Sequence, residues 1–185
     1  MNVLRIALTT VVLAAPASGT AGWHADGKGS RLAFTGVSQG AAFNGTFKTF
    51  DAKIDFDPAN PAAGKFFVSV SLASADTANA ERDDTLHGKD FFDVGKFPTA
   101  TWTATKIRAL GGNRYAADGT LDLRGVRKPV TLSFTWTPGA APTLVGEASL
   151  KRLDYNVGGG QWADTTVIGD AVKVRTQLSL APAGK

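Results

Sequence analysis

The chain offers few residues able to do chemistry. It has two histidines, His24 and His87, and no cysteine. His24 and His87 could in principle bind a metal together with Asp83, Asp84 or Asp90. Structural zinc asks for four good ligands at short, recognisable Cys/His spacings, and that pattern is absent. The ordinary reading of His87 is a turn residue whose ring hydrogen-bonds to a neighbour. Nucleophilic hydrolysis by a serine triad needs a serine, a base and an orienting acid within reach. The chain has no Gly-x-Ser-x-Gly elbow, and neither histidine is paired with a recognisable serine. Gly158, Gly159 and Gly160 lack the lysine and the strand-to-helix setting of a phosphate-binding loop. Two inward carboxylates could still form an acid/base pair. The residue inventory therefore favours binding over catalysis.

Aromatic side chains are the more informative group: eleven Phe, four Trp and two Tyr. Each large ring can bury about 150–250 Å². For any single ring, a packed core is the ordinary reading. If the rings line an interior that they do not fill, an apolar molecule would occupy the space. A buried hydrocarbon gains roughly 0.8 kcal/mol per CH₂, so ten carbons bring about 8 kcal/mol before ordering costs.

The elements that must hold these rings alternate with a period of two. Phe66, Val68, Val70 and Leu72 share one face, as do Val130, Leu132, Phe134 and Trp136. Val172, Val174, Thr176, Leu178 and Leu180 form a third such row, with Thr176 its polar member. Successive strand side chains point to opposite faces, so each row builds one apolar wall and one wet wall. Strands are predicted over residues 23–36 (Leu32 and Phe34 inward), 43–56, 65–74, 99–109, 115–123, 130–137, 144–150 and 170–180. Gly40, Asp57-Pro58 with Asn60-Pro61, Gly111-Gly112-Asn113 and 138–142 mark turns. Residues 76–86 are polar and lack this alternation, which predicts a short helix capped by Asp76 or Thr77. Phe91 and Phe92 sit in a compact aromatic turn. Residues 124–129 read as a basic turn, and 155–162 as irregular.

About eight strands with antiparallel connections and no βαβ rhythm predict an all-β fold. Closing the sheet removes vulnerable edges, so a barrel is preferred to a sandwich. Three polar clusters have structural readings. Arg82-Asp83 reads as an ion pair fixing the helical insertion, the alternative being a polar feature at a ligand mouth. Asp90 and Asp93 read as caps of the turn that carries Phe91 and Phe92. Arg124, Arg127 and Lys128 read as a solvated basic turn, the alternative being contact with an acidic head group or partner.

The first residues follow a different pattern. A short basic start, an apolar run from Ile6 to Ala15 and small residues at Ala15, Ala17, Gly19 and Ala21 read as a signal peptide over 1–21. The apolar run is shorter than the roughly 20 residues that span a bilayer. One domain over 22–185 follows, about 164 residues long,. Loss of Arg5 takes the formal charge from +4 to +3. Lys and Arg are scattered among acidic residues, without the basic stripe that nucleic-acid binding requires.

Several motifs in order carry a family resemblance: Gly45-Thr46-Phe47, Phe56-Asp57-Pro58, Arg82-Asp83 and Asp90-Phe91-Phe92-Asp93. They continue through Phe97-Pro98, Gly119 to Val130, Arg152 and Gly169-Asp170-Ala171-Val172. The chain resembles the YceI-like, or polyisoprenoid-binding, family over nearly all of the expected mature region. The resemblance implies an extended antiparallel, lipocalin-like barrel of about eight strands around an elongated apolar tunnel. It implies an exported protein that binds a long-chain isoprenoid lipid such as a quinone, with no catalytic residue and no required cofactor. Phe34, Phe47, Phe56, Phe91, Phe92 and Trp102 are then the candidates for lining the tunnel or closing it. Gln39-Gly40 and Gln161-Trp162-Ala163-Asp164 are similar to the branch associated with membrane cytochromes of the b561 type, which implies a redox partner. Association as a homodimer is left open. Where many members read Asp-x-x-His-Ser, this chain has Asp26-Gly27-Lys28-Gly29-Ser30, and the histidine usual before Gly45 is also missing. The competing expectation is a structural or protein-interaction β domain with a filled core.

Overall fold

The computed structural model describes residues 22–183; the expected signal peptide and its cleavage point lie outside the described residues. Eleven strands run β1 (Gly22–Ala25), β2 (Arg31–Ser38), β3 (Ala41–Phe47), β4 (Phe50–Asp55), β5 (Lys65–Ser71), β6 (Ala75–Asp76), β7 (Thr99–Gly111), β8 (Arg114–Leu123), β9 (Val126–Thr137), β10 (Thr143–Lys151) and β11 (Ala171–Pro182). One helix, α1 (Ala80–His87), lies between β6 and β7.

All pairings are antiparallel, in the order β1-β4-β5-β7-β8-β9-β10-β11-β2-β3-β6, and β1 also pairs with β11 and closes the barrel. β2 lies along β11 at residues 173–177, and β1 continues along it at 180–182. β3 and β4 continue one another in the same way, as do β5 and β6. The eleven segments thus make eight staves, three of them broken. The breaks fall at residues 26–30, 48–49 and 72–74, inside spans predicted as continuous strands. Each break switches the parity of inward residues, from Trp23 and Ala25 to Leu32 and Phe34 for example. An odd number of extra residues does this in a structure whose side chains alternate.

Other boundaries differ from expectation for local reasons. α1 starts at Ala80, and its cap is Asn79, whose side chain accepts the Arg82 N–H at 2.9 Å. Asp76 instead accepts the Ala78 N–H. β9 begins at Val126, so Arg127, Lys128 and Pro129 belong to the strand. The connection shrinks to Arg124-Gly125, both at positive φ (56° and 75°), which suits the twist of a two-residue hairpin,.

Arg82 and Asp83 do not pair with each other. Both converge on buried Thr77. Asp83 accepts from its N–H and hydroxyl at 2.8 and 2.6 Å, and Arg82 donates to its hydroxyl and carbonyl at 2.9 and 3.1 Å. The Arg82 guanidinium also lies 4.7 Å over the Phe43 ring, which ties α1 to β3. Arg124 does lie in the turn, half-buried, but its side chain is not left to solvent. Its guanidinium donates to the carbonyls of Lys89, Asp90 and Asn156, joining the Phe91-Phe92 turn to the loop after β10.

Candidate ligand-binding cavity

The inward faces of the staves meet in two apolar clusters. At one end Phe56 is surrounded by Phe66, Tyr115, Phe134 and Trp136 at ring-centroid distances of 4.9–5.9 Å. These rings fill the barrel. Toward the other end Phe34, Leu72, Leu86, Phe91, Phe92 and Val157 form a looser group under α1 and the loop after β10. Between and through them runs a cavity of about 220 Å³. Along β11 its wall extends from Val172 to Leu178, about 20 Å at ~3.3 Å per residue. It is long and narrow, and its lining side chains are apolar except Thr176, Arg152 and the indole N–H of Trp102. A filled core is therefore true of one end of this barrel only.

Five of the six candidate residues lie on the cavity wall: Phe34, Phe47, Phe91, Phe92 and Trp102. Phe56 does not. It is 1% exposed, sits inside the aromatic cluster and closes the barrel beyond Phe66, which is itself on the wall. Trp102 turns its indole N–H away from the cavity to the Val130 carbonyl at 3.1 Å. Phe91 packs on Trp162 at 5.7 Å. The Asp90 carboxylate accepts from the Trp162 indole rather than capping the turn, and the backbone N–H of Asp93, at φ 49°, closes that turn by donating to the Gly88 carbonyl.

A pair of glycines seats the rings on β2 and β3. Phe34 stands opposite Gly45 and Phe43 opposite Gly36. A Cβ at Gly45 would lie 2.3 Å from the Phe34 ring, so the ring can lie flat on the wall only where that carbon is missing. Gly45→Ala is expected to push Phe34 into the cavity at a cost of about 1–3 kcal/mol. Thermal unfolding and uptake of a small apolar dye test this; a variant unchanged in both measurements would refute it.

Arg152 is the residue whose role the sequence did not disclose. It lines the cavity and is only 4% exposed, yet no carboxylate among the described residues pairs with it. Its Nε donates to the Gly169 carbonyl, one terminal nitrogen to Val157 and Gly158, and the other to Trp162 and Ile168. All five N–H groups are used. Burial pulls its pKa below the ordinary arginine value, while Asp170 acts in the opposite sense. Gly158 is required beside it: its φ is +66°, and a Cβ there would meet the guanidinium at 2.6 Å and the Phe91 ring at 2.8 Å. The cavity therefore presents no free guanidinium to a guest.

Neither histidine joins this site. His24 lies 4.0 Å from Asp51 on the barrel surface. His87 ends α1 rather than occupying a turn, and its Nε2 is buried with no hydrogen-bond partner among the described residues. Among the described residues no three His, Asp or Glu side chains cluster to hold a metal.

Residues 23–180 match the YceI-like domain. The chain belongs to the YceI-like family. BcnA of Burkholderia cenocepacia shares 34% identity and superposes with a TM-score of 0.81, covering 85% of this chain and 99% of that one. The YceI protein of Campylobacter jejuni is 28% identical with a TM-score of 0.68, over 76% and 85% of the two chains. A domain of Saccharophagus degradans described as polyisoprenoid binding shares the fold at 17% identity, with a TM-score of 0.69 over 87% and 98%. A UPF0312 protein of Yersinia enterocolitica is 48% identical over 120 residues, 61% of this chain and 62% of its own length. The chain thus spans about 62% of the length of that curated relative. The molecule is thus a YceI-like barrel with an apolar interior, and its described residues assemble no metal-binding cluster.

Proposed function

We propose that this protein sequesters or carries a long-chain isoprenoid lipid, such as a quinone, outside the cytoplasm. The observation that carries the reading is a long apolar cavity in which, Thr176 apart, the polar lining groups are engaged: Arg152 by five carbonyls and the Trp102 N–H by Val130. Such a cavity offers a hydrocarbon tail escape from water and offers a polar group almost nothing. The leader expected over 1–21 supports export. Six residues or six rings need not touch the guest equally; Phe34, Phe47, Phe91, Phe92 and Trp102 are the proposed lining, with Phe56 as the closure behind it.

Transfer of a quinone to a b561-type membrane cytochrome extends the proposal. The two segments behind that expectation are close together at the far end of the cavity. Gln39 lies in the β2–β3 turn and donates its N–H to Val167, which follows Gln161–Asp164 in the neighbouring loop.

Native mass spectrometry of the purified protein, with lipid extraction, tests the reading. An isoprenoid released in near-stoichiometric amount is the expected result, and ligand-free protein that also refuses added quinones would overturn it. Trp102→Asp, which sets a charge against the tail, is expected to lower quinone uptake by at least about tenfold while the barrel still folds. Uptake equal to that of the wild type would remove Trp102 from the lining.

A further inference from the structure

Three of the staves are broken, and two of the breaks face each other. Paired residues on the β1/β2 and β3/β4 staves stop at His24–Lys53 and resume at Leu32–Phe47. The backbone between is bonded away from the gap. Asp26 donates to the Ser179 carbonyl on β11, while Lys48 donates to Ser74 and Thr49 accepts from Ser71 on the opposite side. Widening this seam would break none of those bonds.

Outside the seam lies a recess of about 460 Å³ lined by Ala25, Gly27, Ser30, Arg31 and residues 46–50. Phe47 and Phe50 line both this recess and the apolar cavity, so the two spaces are divided by the thickness of a ring. Arg31 and Lys48 bring positive charge, and none of the described residues on the recess wall carries a carboxylate. Lys48 is paired with Asp76. Arg31 has no side-chain hydrogen bond or ion pair among the described residues, in contrast to saturated Arg152. Asp26 accepts the Lys28 N–H at 3.1 Å, and Glu147, which lines an outer groove together with Arg31, is paired with Lys173 and Arg175. The hydroxyls of Thr46 and Thr49 complete the wall.

We propose that this seam is a lateral portal, and that its recess binds the anionic head of a single-chain amphiphile whose tail passes between Phe47 and Phe50 into the cavity. The proposal rests on the cavity being a tail-binding site and adds the head-group chemistry: carboxylate or phosphate oxygens, which a free guanidinium fork holds well. A fatty acid and an isoprenyl phosphate share that chemistry.

The test uses the isotopically labelled protein and stearate carrying a nitroxide either near its carboxylate or near its methyl end. The head-labelled stearate is expected to broaden the amides of residues 27–31 and 46–50, and the tail-labelled one to spare them. Arg31→Glu is expected to weaken stearate binding about tenfold and to leave its methyl ester within about twofold. Isoprenyl phosphate that displaces stearate with the same sensitivity to Arg31→Glu extends the site to phosphates, whereas displacement insensitive to the substitution confines it to carboxylates; either result supports the portal. Head-label broadening centred on residues 37–40 and 165–168 would place entry at the barrel end and overturn the proposal. Equal weakening of acid and ester would overturn the role of Arg31. Failure of stearate, its ester and the isoprenyl phosphate to bind at all would instead sink the cavity reading beneath it.

Discussion

Arg152→Ala is expected to lower the melting temperature by about 10 °C. The guanidinium holds five carbonyls of the loop between β10 and β11, and alanine leaves all five without that partner. An unsatisfied buried acceptor costs about 1–3 kcal/mol, although the loop can relax and admit water to some of them. A net loss of about 3–5 kcal/mol follows, similar to that of breaking other buried charged networks. For a domain of this size each kcal/mol moves the midpoint by about 2–4 °C. Arg152→Lys should recover less than half of the loss, because an ammonium has three donors and no planar fork. Circular dichroism melts of the three proteins give the comparison. A midpoint for Arg152→Ala within about 2 °C of the wild type would show that the carbonyls find other partners and that Arg152 does not hold the loop. The same substitution bears on binding, since Val157, Ile168 and Gly169 lie on the cavity wall and are positioned by this side chain.

What the sequence displayed of this molecule depended on whether a feature repeats locally. The rows Phe66 to Val70, Val130 to Trp136 and Val172 to Leu180 showed their inward faces directly, and with them most of the barrel. The breaks were visible as well, although read as continuous strand. Phe47 is odd-numbered while Ile54 and Phe56 are even, so residues 43–56 cannot form one uninterrupted strand with all three inward. Phe43 and Phe50, both on the wall, follow once that switch is recognised. Arg152 left no such trace. Its partners are backbone carbonyls, which every residue carries, and only the fold brings residues 157–169 around it. The same holds for Arg124, where a cluster of three basic positions divided into one half-buried clamp and two exposed strand residues. Phe56 was placed correctly as inward, but alternation cannot distinguish a ring that lines a space from one that fills it.

That distinction predicts a second large effect. Phe56→Ala should lower stability by about 3–5 kcal/mol, the usual cost of deleting a fully buried aromatic ring, and so lower the melting temperature by about 10 °C. Phe56 contacts four other rings, and its loss leaves a void that the rigid β-barrel collapses onto incompletely. The void would form directly behind Phe66, at the closed end of the cavity. If Phe66 turns into it, the cavity lengthens. The variant should then accept longer alkyl chains than the wild type, even though it is less stable. A homologous series of fatty alcohols, tested by displacement of a fluorescent probe well below the variant's midpoint, separates the two consequences. A lowered midpoint with an extended chain-length limit is expected. A lowered midpoint with the wild-type limit would mean that the wall at Phe66 holds without support, and that Phe56 stabilises the barrel without setting the depth of its interior.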